Sequence, residues 1–234
     1  MYRERVRTFA LVAVVAVGLM AGRGHAAAQT DSEFQIWNAV LSTAKLKGGS
    51  LEPAAWFDGH ARKGADSTVV ILRPALGLQA TPWLSAWAGY AWVPVFRGNE
   101  RFDEHRFWQQ LIATHATPSE LKLQSRTRFE FRFADSGDDT GLRIREFVRA
   151  GWMKKRWSVQ PVVWDELFIG LNDTDWGQSA GYDQNRLFVG VALPTVATWA
   201  RFEAGYLFVH LNRDTDQVFH VLALNVFLTG KVAR

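Results

Sequence analysis

Cysteine is absent from the 234 residues, so no disulfide can close the fold, and thiol chemistry and cysteine metal sites are excluded. Long apolar runs are missing too. A helix needs about 20 apolar residues to cross a bilayer, and after residue 28 the one charge-free stretch of that length, 74–96, is broken by Pro74, Gln79, Thr81, Pro82, Ser85 and Pro94. If such a chain enters a membrane it must do so as strands. A surplus of one charge sign is also lacking. The formal net charge is +4, but Arg3, Arg5, Arg7, Arg23 and Glu4 all lie in the first 28 residues, which leaves +1 for the rest. That near balance gives a nucleic-acid partner no electrostatic footprint.

The N-terminal residues have the order of a secretory signal peptide. Three arginines precede an apolar run from Phe9 to Ala21, and the small residues Ala26, Ala27 and Ala28 follow. The run is too short for a permanent span and reads as a segment cleaved near Ala28. The expected organisation is a signal peptide over 1–28 and one barrel domain over 29–234.

The mature part alternates. From Leu121 to Phe133 one register holds Leu121, Leu123, Ser125, Thr127, Phe129, Phe131 and Phe133, and the other holds Lys122, Gln124, Arg126, Arg128, Glu130 and Arg132. A period of two kept for thirteen residues places an apolar face against a charged one. Similar stretches recur around 34–43, 51–62, 67–78, 83–96, 103–114, 141–154, 157–169, 184–193, 198–211 and 217–229. Most reach the 9 to 11 residues that a tilted strand needs to cross a bilayer, whereas strands of soluble domains usually run about 5 to 6.

The fold class expected is all-β: an up-and-down antiparallel transmembrane barrel of 10–12 strands. Bacterial single-chain barrels use even numbers, so the eleven segments are resolved here as ten or twelve. Connections at 79–82, 153–156 and 194–197 read as tight turns, and those at 98–101, 134–141 and 171–183 as longer polar loops, which in an outer-membrane barrel would face outside. Eleven Trp and sixteen Phe fit interfacial girdles, with Trp37, Trp56, Trp83, Trp92, Trp157 and Trp199 near strand ends.

With the apolar face on lipid, the other face lines a lumen. The residues expected there are Glu104, Arg106, Gln110, Arg126, Arg128, Glu130, Arg132, Arg143, Arg145, Arg149, Glu166, Arg201 and Glu203. Two readings stand at even weight: interlocked charges filling a closed interior, or an arginine-lined pore selecting anions. Two residues break the alternation. Asp165 shares an outward register with Val163, Leu167 and Ile169, a conflict a β-bulge would relieve. Glu146 shares one with Ile144, Val148 and Trp152, and is expected near a strand end.

No catalytic, cofactor-binding or metal-ligating constellation emerges. His60, His105, His115, His210 and His220 lie in or beside strands without a spacing that ties them to a nucleophile, and the Asn172–Asp175 run lacks the later Glu of a calcium loop.

Seven motifs nonetheless resemble a known group. They are Arg73-Pro74-Ala75-Leu76-Gly77; Gly89-Tyr90-Ala91-Trp92; Glu104-His105-Arg106 with Trp108-Gln109-Gln110; Arg126-x-Arg128-x-Glu130-x-Arg132-Phe133; Asp165-Glu166-Leu167-Phe168; Asp183-Gln184-Asn185-Arg186-Leu187-Phe188; and Glu203-x-Gly205-Tyr206. From Phe34 to Leu228 the chain resembles domain-of-unknown-function family 2490, uncharacterised bacterial outer-membrane barrels. The resemblance implies fold and location and brings no reaction or ligand. One departure is the end of the chain, where Phe227 is followed by seven further residues rather than closing the sequence.

The partners expected are the lipid bilayer, the outer-membrane assembly machinery and a small solute of unknown identity. Three functions remain open: a narrow channel, a closed structural or partner-binding barrel, and a lipid- or lipopolysaccharide-modifying enzyme. Conductance and lipid turnover separate them; the visible residues favour the channel and the closed barrel.

Overall fold

Alternating side chains, turn residues between them and no helical periodicity produce strands throughout. The computed structural model describes residues 30–46, 52–154, 157–193 and 199–231. The expected signal peptide lies outside the described residues, as does the 194–197 connection.

The described residues form eleven strands: β1 (Asp31–Lys45), β2 (Glu52–Lys63), β3 (Ser67–Thr81), β4 (Leu84–Arg97), β5 (Glu100–Ala116), β6 (Leu121–Ala134), β7 (Gly141–Trp152), β8 (Gln160–Gly170), β9 (Gly181–Leu193), β10 (Ala200–Leu211) and β11 (Gln217–Lys231). Each pairs with its sequence neighbours, and β1 pairs with β11 to close the barrel.

The closing seam corrects the expectation of ten or twelve strands. All eleven segments are strands of the one sheet, and β1 runs parallel to β11, from Asp31 opposite Gln217 to Lys45 opposite Lys231. An odd number of alternating strands leaves the first and last pointing the same way, so a parallel seam is the only closure available. It follows that β1 starts at one rim, hereafter the N rim, and β11 finishes at the opposite one, the C rim.

Loop lengths also depart from expectation. Arg97 and Glu100 are joined by two residues only, with Gly98 at a φ of 58°, the position where tight hairpin turns of type II′ take glycine. The connection after Trp152, by contrast, extends from Met153 to Val159. Short and long connections therefore do not sort cleanly between rims, although the longest, 171–180, is at the N rim.

Strand register assigns every side chain to a face. The outward set includes Phe34, Phe57, Leu76, Phe107, Leu111, Leu187, Val189, Phe202, Leu222 and Leu224, all exposed. Inside, two apolar clusters pack opposite walls. One gathers Val162, Phe188, Leu207, Val209 and Val221 from β8 to β11; the other gathers Ile71, Ala91, Val93 and Trp108 from β3 to β5. Gly190 and Gly205 face each other in register, and a Cβ on either would strike the Phe188 ring. Their bareness is what lets that ring lie flat on the wall.

Candidate functional site

The thirteen residues expected in the lumen all fall on the inward register of their strands. Successive pairs fix this: Gln110 is opposite Arg128, Arg128 opposite Arg145, Trp108 opposite Glu130, and Glu130 opposite Arg143. Inward arginines and glutamates at alternate positions on adjacent strands meet without help from loops.

At mid-barrel they form a continuous lattice. Glu130 accepts from Arg143 through Nε at 3.0 Å and Nη2 at 2.6 Å, and from Arg145 Nη1 at 2.7 Å. Arg145 also donates through Nη2 to Glu166 at 2.7 Å, and Glu166 takes a further bond from Arg126. Arg128 donates twice to Gln110 Oε1, at 2.8 and 2.6 Å, and lies 4.2 Å over the Trp108 ring. Arg128 and Glu130 are 0% exposed. Bidentate, charge-assisted bonds of this kind recover part of the desolvation cost of buried ions and fix side-chain geometry.

The N rim carries a second layer. Glu104 accepts from Arg106 and Arg132, and Arg132 Nη1 donates to Gln178 at 2.8 Å. Gln178 belongs to the 171–180 loop, is buried, and ties that loop to the β7 wall by donating to the Leu142 carbonyl at 3.1 Å. The loop is also clamped from the 135–140 side. The Asp175 carboxylate accepts from the Asp138 and Asp139 backbone N–H groups, and Trp176 Nε1 donates to the Asp139 carbonyl. Toward the C rim, Glu203 is bonded by Arg149, with Arg201 at 3.1 Å. Arg201 is the least buried of the thirteen, since it is the second residue of β10.

Several inward residues were not legible as lumen groups. Asp58 and Arg73 form a buried ion pair of 3.0 Å, with His60 Nε2 3.3 Å from the same carboxylate. Asp183 bridges Arg143 and Arg213. Arg62 and Arg186 both lie against Trp37, at 4.1 and 5.1 Å from its centroid. The available signal was the same alternation, Trp56-x-Asp58-x-His60-x-Arg62, masked because the inward register there mixes rings with charges.

Those contacts correct the girdle expectation for two tryptophans. Trp37 and Trp56 face the interior: Trp37 Nε1 donates to Gln35 while its faces take guanidinium groups, and Trp56 packs edge-on against Trp87 and Trp108. Cation–π contact and ring packing explain indoles on a polar wall. Trp83, Trp157 and Trp199 are exposed between strands.

The two pattern breakers are also placed differently from expectation. The register shift in the β8–β9 pair falls between Phe168 and Ile169, not at Asp165. Asp165 therefore stays outward, opposite Leu187, and accepts from Asn185 Nδ2 at 3.0 Å. Glu146 is the sixth of twelve residues in β7, far from either strand end, and accepts from the Ser125 and Thr127 hydroxyls. In each case a neighbouring strand supplies the donor that a bulge or a rim would otherwise have made unnecessary. Three histidines of the outer face are partnered as well: Tyr90 with His105, Tyr182 with His210 and Tyr206 with His220 each share a hydroxyl–Nδ1 bond and stacked rings.

Fold and interior together define a closed β-barrel with an ion-paired lumen and an apolar exterior. The chain belongs to the family described as "Protein of unknown function (DUF2490)", which it matches over residues 34–220. It is 35% identical over 220 residues to an uncharacterised protein of Methylorubrum extorquens, covering 90% of this chain and 93% of the relative. No solved structure matches.

Proposed function

We propose that the protein is an outer-membrane β-barrel, exported by its N-terminal segment, whose lumen is closed and which serves as a structural or binding element rather than a conducting pore. Support for insertion comes from the ring of exposed Phe, Leu and Val side chains around the outer face, a surface far more apolar than soluble monomers tolerate. It also comes from strands of 11 to 17 residues, long enough to cross at a tilt.

The observation that carries closure is Arg128 and Glu130 at mid-barrel with no exposed surface. They are braced by Arg143, Arg145 and Glu166 from the neighbouring strands, and the 171–180 loop adds a cover at the N rim through Gln178. A channel would need a continuous file of water past this layer. Its charges would then be solvated rather than paired to one another.

Reconstitution into planar bilayers tests the reading. Folded protein is expected to insert without steady single-channel conductance. Reproducible current steps, with anion selectivity that reverses in an Arg126→Glu, Arg128→Glu double variant, would replace the closed barrel with a pore.

A further inference from the structure

Charge compensation in the lumen is uneven. A row of stacked groups crosses it: Arg145 lies 4.4 Å from the Phe168 centroid, Arg186 lies 4.4 Å from the same ring and 5.1 Å from Trp37, and Arg62 lies 4.1 Å from Trp37. Arg145 is bonded by two glutamates. Arg186 reaches Glu166 only at 4.0 Å. Arg62 has no carboxylate within ion-pair distance among the described residues, and the charges acting on it most strongly are those of Arg186, Arg106, Arg73 and Arg145, all cationic.

The unused hydrogen-bonding atoms point the same way. Arg62 Nε, Arg73 Nε and Arg186 Nε are buried donors without an acceptor among the described residues, and Arg73 and Arg186 are only 4% and 8% exposed. The nearest inward carboxylate on β1, Glu33, is already taken by the Gln35 amide and the Ala65 N–H. Asp58 pairs with Arg73 at 3.0 Å and Glu166 lies 4.0 Å from Arg186, which leaves the Arg62 charge unmatched; water can satisfy an N–H donor, but it cannot neutralise that remaining guanidinium charge. Only an acceptor that carries negative charge does both.

We infer that Arg62, Arg73 and Arg186, with Trp37 as a flat wall, form a binding site for a small oxyanion of phosphate or carboxylate type inside the lumen. Arg62 is the penultimate residue of β2 and only half-buried, so the site is approached from the N rim beside the β2–β3 turn. Guanidinium forks match the paired oxygens of such anions, whereas chloride offers no directional acceptor geometry. The inference rests on the closed lumen proposed above, and the two fail differently: an open lumen shows as conductance, an absent site as indifference to oxyanions in a non-conducting protein.

The test uses the full mature chain folded in detergent micelles, with inorganic phosphate or acetate titrated against sodium chloride at constant ionic strength. The readout is the thermal unfolding midpoint, followed by the mobility difference between folded and heated protein on gels. At least one of the two oxyanions is expected to raise the midpoint saturably where chloride does not. Arg62→Gln should weaken the apparent affinity at least tenfold, yet be no less stable than the parent without oxyanion, since it removes an uncompensated charge. Arg186→Gln, if it folds, should weaken affinity comparably. Overturning results would be no saturable effect of either oxyanion, an equal effect of chloride, or an Arg62→Gln protein that binds normally or is less stable in oxyanion-free buffer.

Discussion

Glu130 shows what one residue does in this barrel. Its two carboxylate oxygens take three bonds from Arg143 and Arg145, whose other carboxylate partners, Asp183 and Glu166, bond different N–H groups. Neutralising it leaves two buried guanidinium groups short of an acceptor, a change that costs about 3 kcal/mol or more when a buried pair loses one partner. Glu130→Gln is therefore expected to destabilise the folded protein in micelles by that amount, read as a lower urea midpoint at unchanged slope. An unchanged midpoint would mean that the lattice is solvated. Arg62→Gln is expected to move the opposite way or not at all, which separates a paired buried charge from an unpaired one by the sign of the effect. On the outer face Glu146 and Asp165 show a further solution, in which hydroxyl and amide donors from the next strand cover a carboxylate on an otherwise apolar surface.

At the scale of elements, the two N-rim loops act as one unit. The backbone N–H groups of Asp138 and then Asp139 bond the Asp175 carboxylate and hold it below the usual carboxylate range. A carboxyl whose folded-state value is depressed stabilises the docked loops fully above the ordinary aspartate value, near 4, and loses that contribution as pH falls through the depressed value. Proteolysis within 135–140 is thus expected to stay slow at neutral and mildly acidic pH and to accelerate under stronger acid. Asp175→Ala should be cut rapidly at all pH values; equal cleavage of the parent and variant at pH 7 would contradict loop docking.

All eleven strands were legible in the sequence, because each keeps its alternation long enough to outweigh its neighbours. β6 is the clearest case, with Phe129, Phe131 and Phe133 against Arg128, Glu130 and Arg132. The lumen was legible where the inward register is wholly charged. It was obscured on β1 and β2, where Trp37 and Trp56 sit inward and alternation alone cannot say whether a ring faces lipid or an arginine. Connections were read less well, since strand pairing continued through residues such as Glu100 and Arg101 that look like loop. Alternation points to a bulge at Asp165, the residue that breaks the pattern, but the backbone keeps its register there and Asn185 absorbs the conflict.

For the whole molecule, the strand count determines where the strand ends emerge. The parity rule for bacterial barrels argued against eleven, and the parallel β1–β11 seam is what overrides it. An epitope tag placed just before Asp31 and one in the 212–216 loop are therefore expected on the same side of the membrane, with a tag after Lys231 on the other. Accessibility of the first and third tags from one side would indicate an even-stranded closure.

The central claim is that a two-residue alternation separates lipid on the outside from a packed, dry interior. Since the protein has no cysteine, single cysteines along β11 report each face without background, and this strand carries no buried ion pair to disturb. Spin labels at Leu222 and Leu224 face outward, and those at Ala223 and Asn225 face inward. In liposomes, collision rates with oxygen and with a water-soluble nickel complex should show the outward pair accessible to oxygen only and the inward pair accessible to neither. An inward pair open to the nickel complex would contradict the closed lumen, and an outward pair shielded from oxygen would contradict the membrane itself.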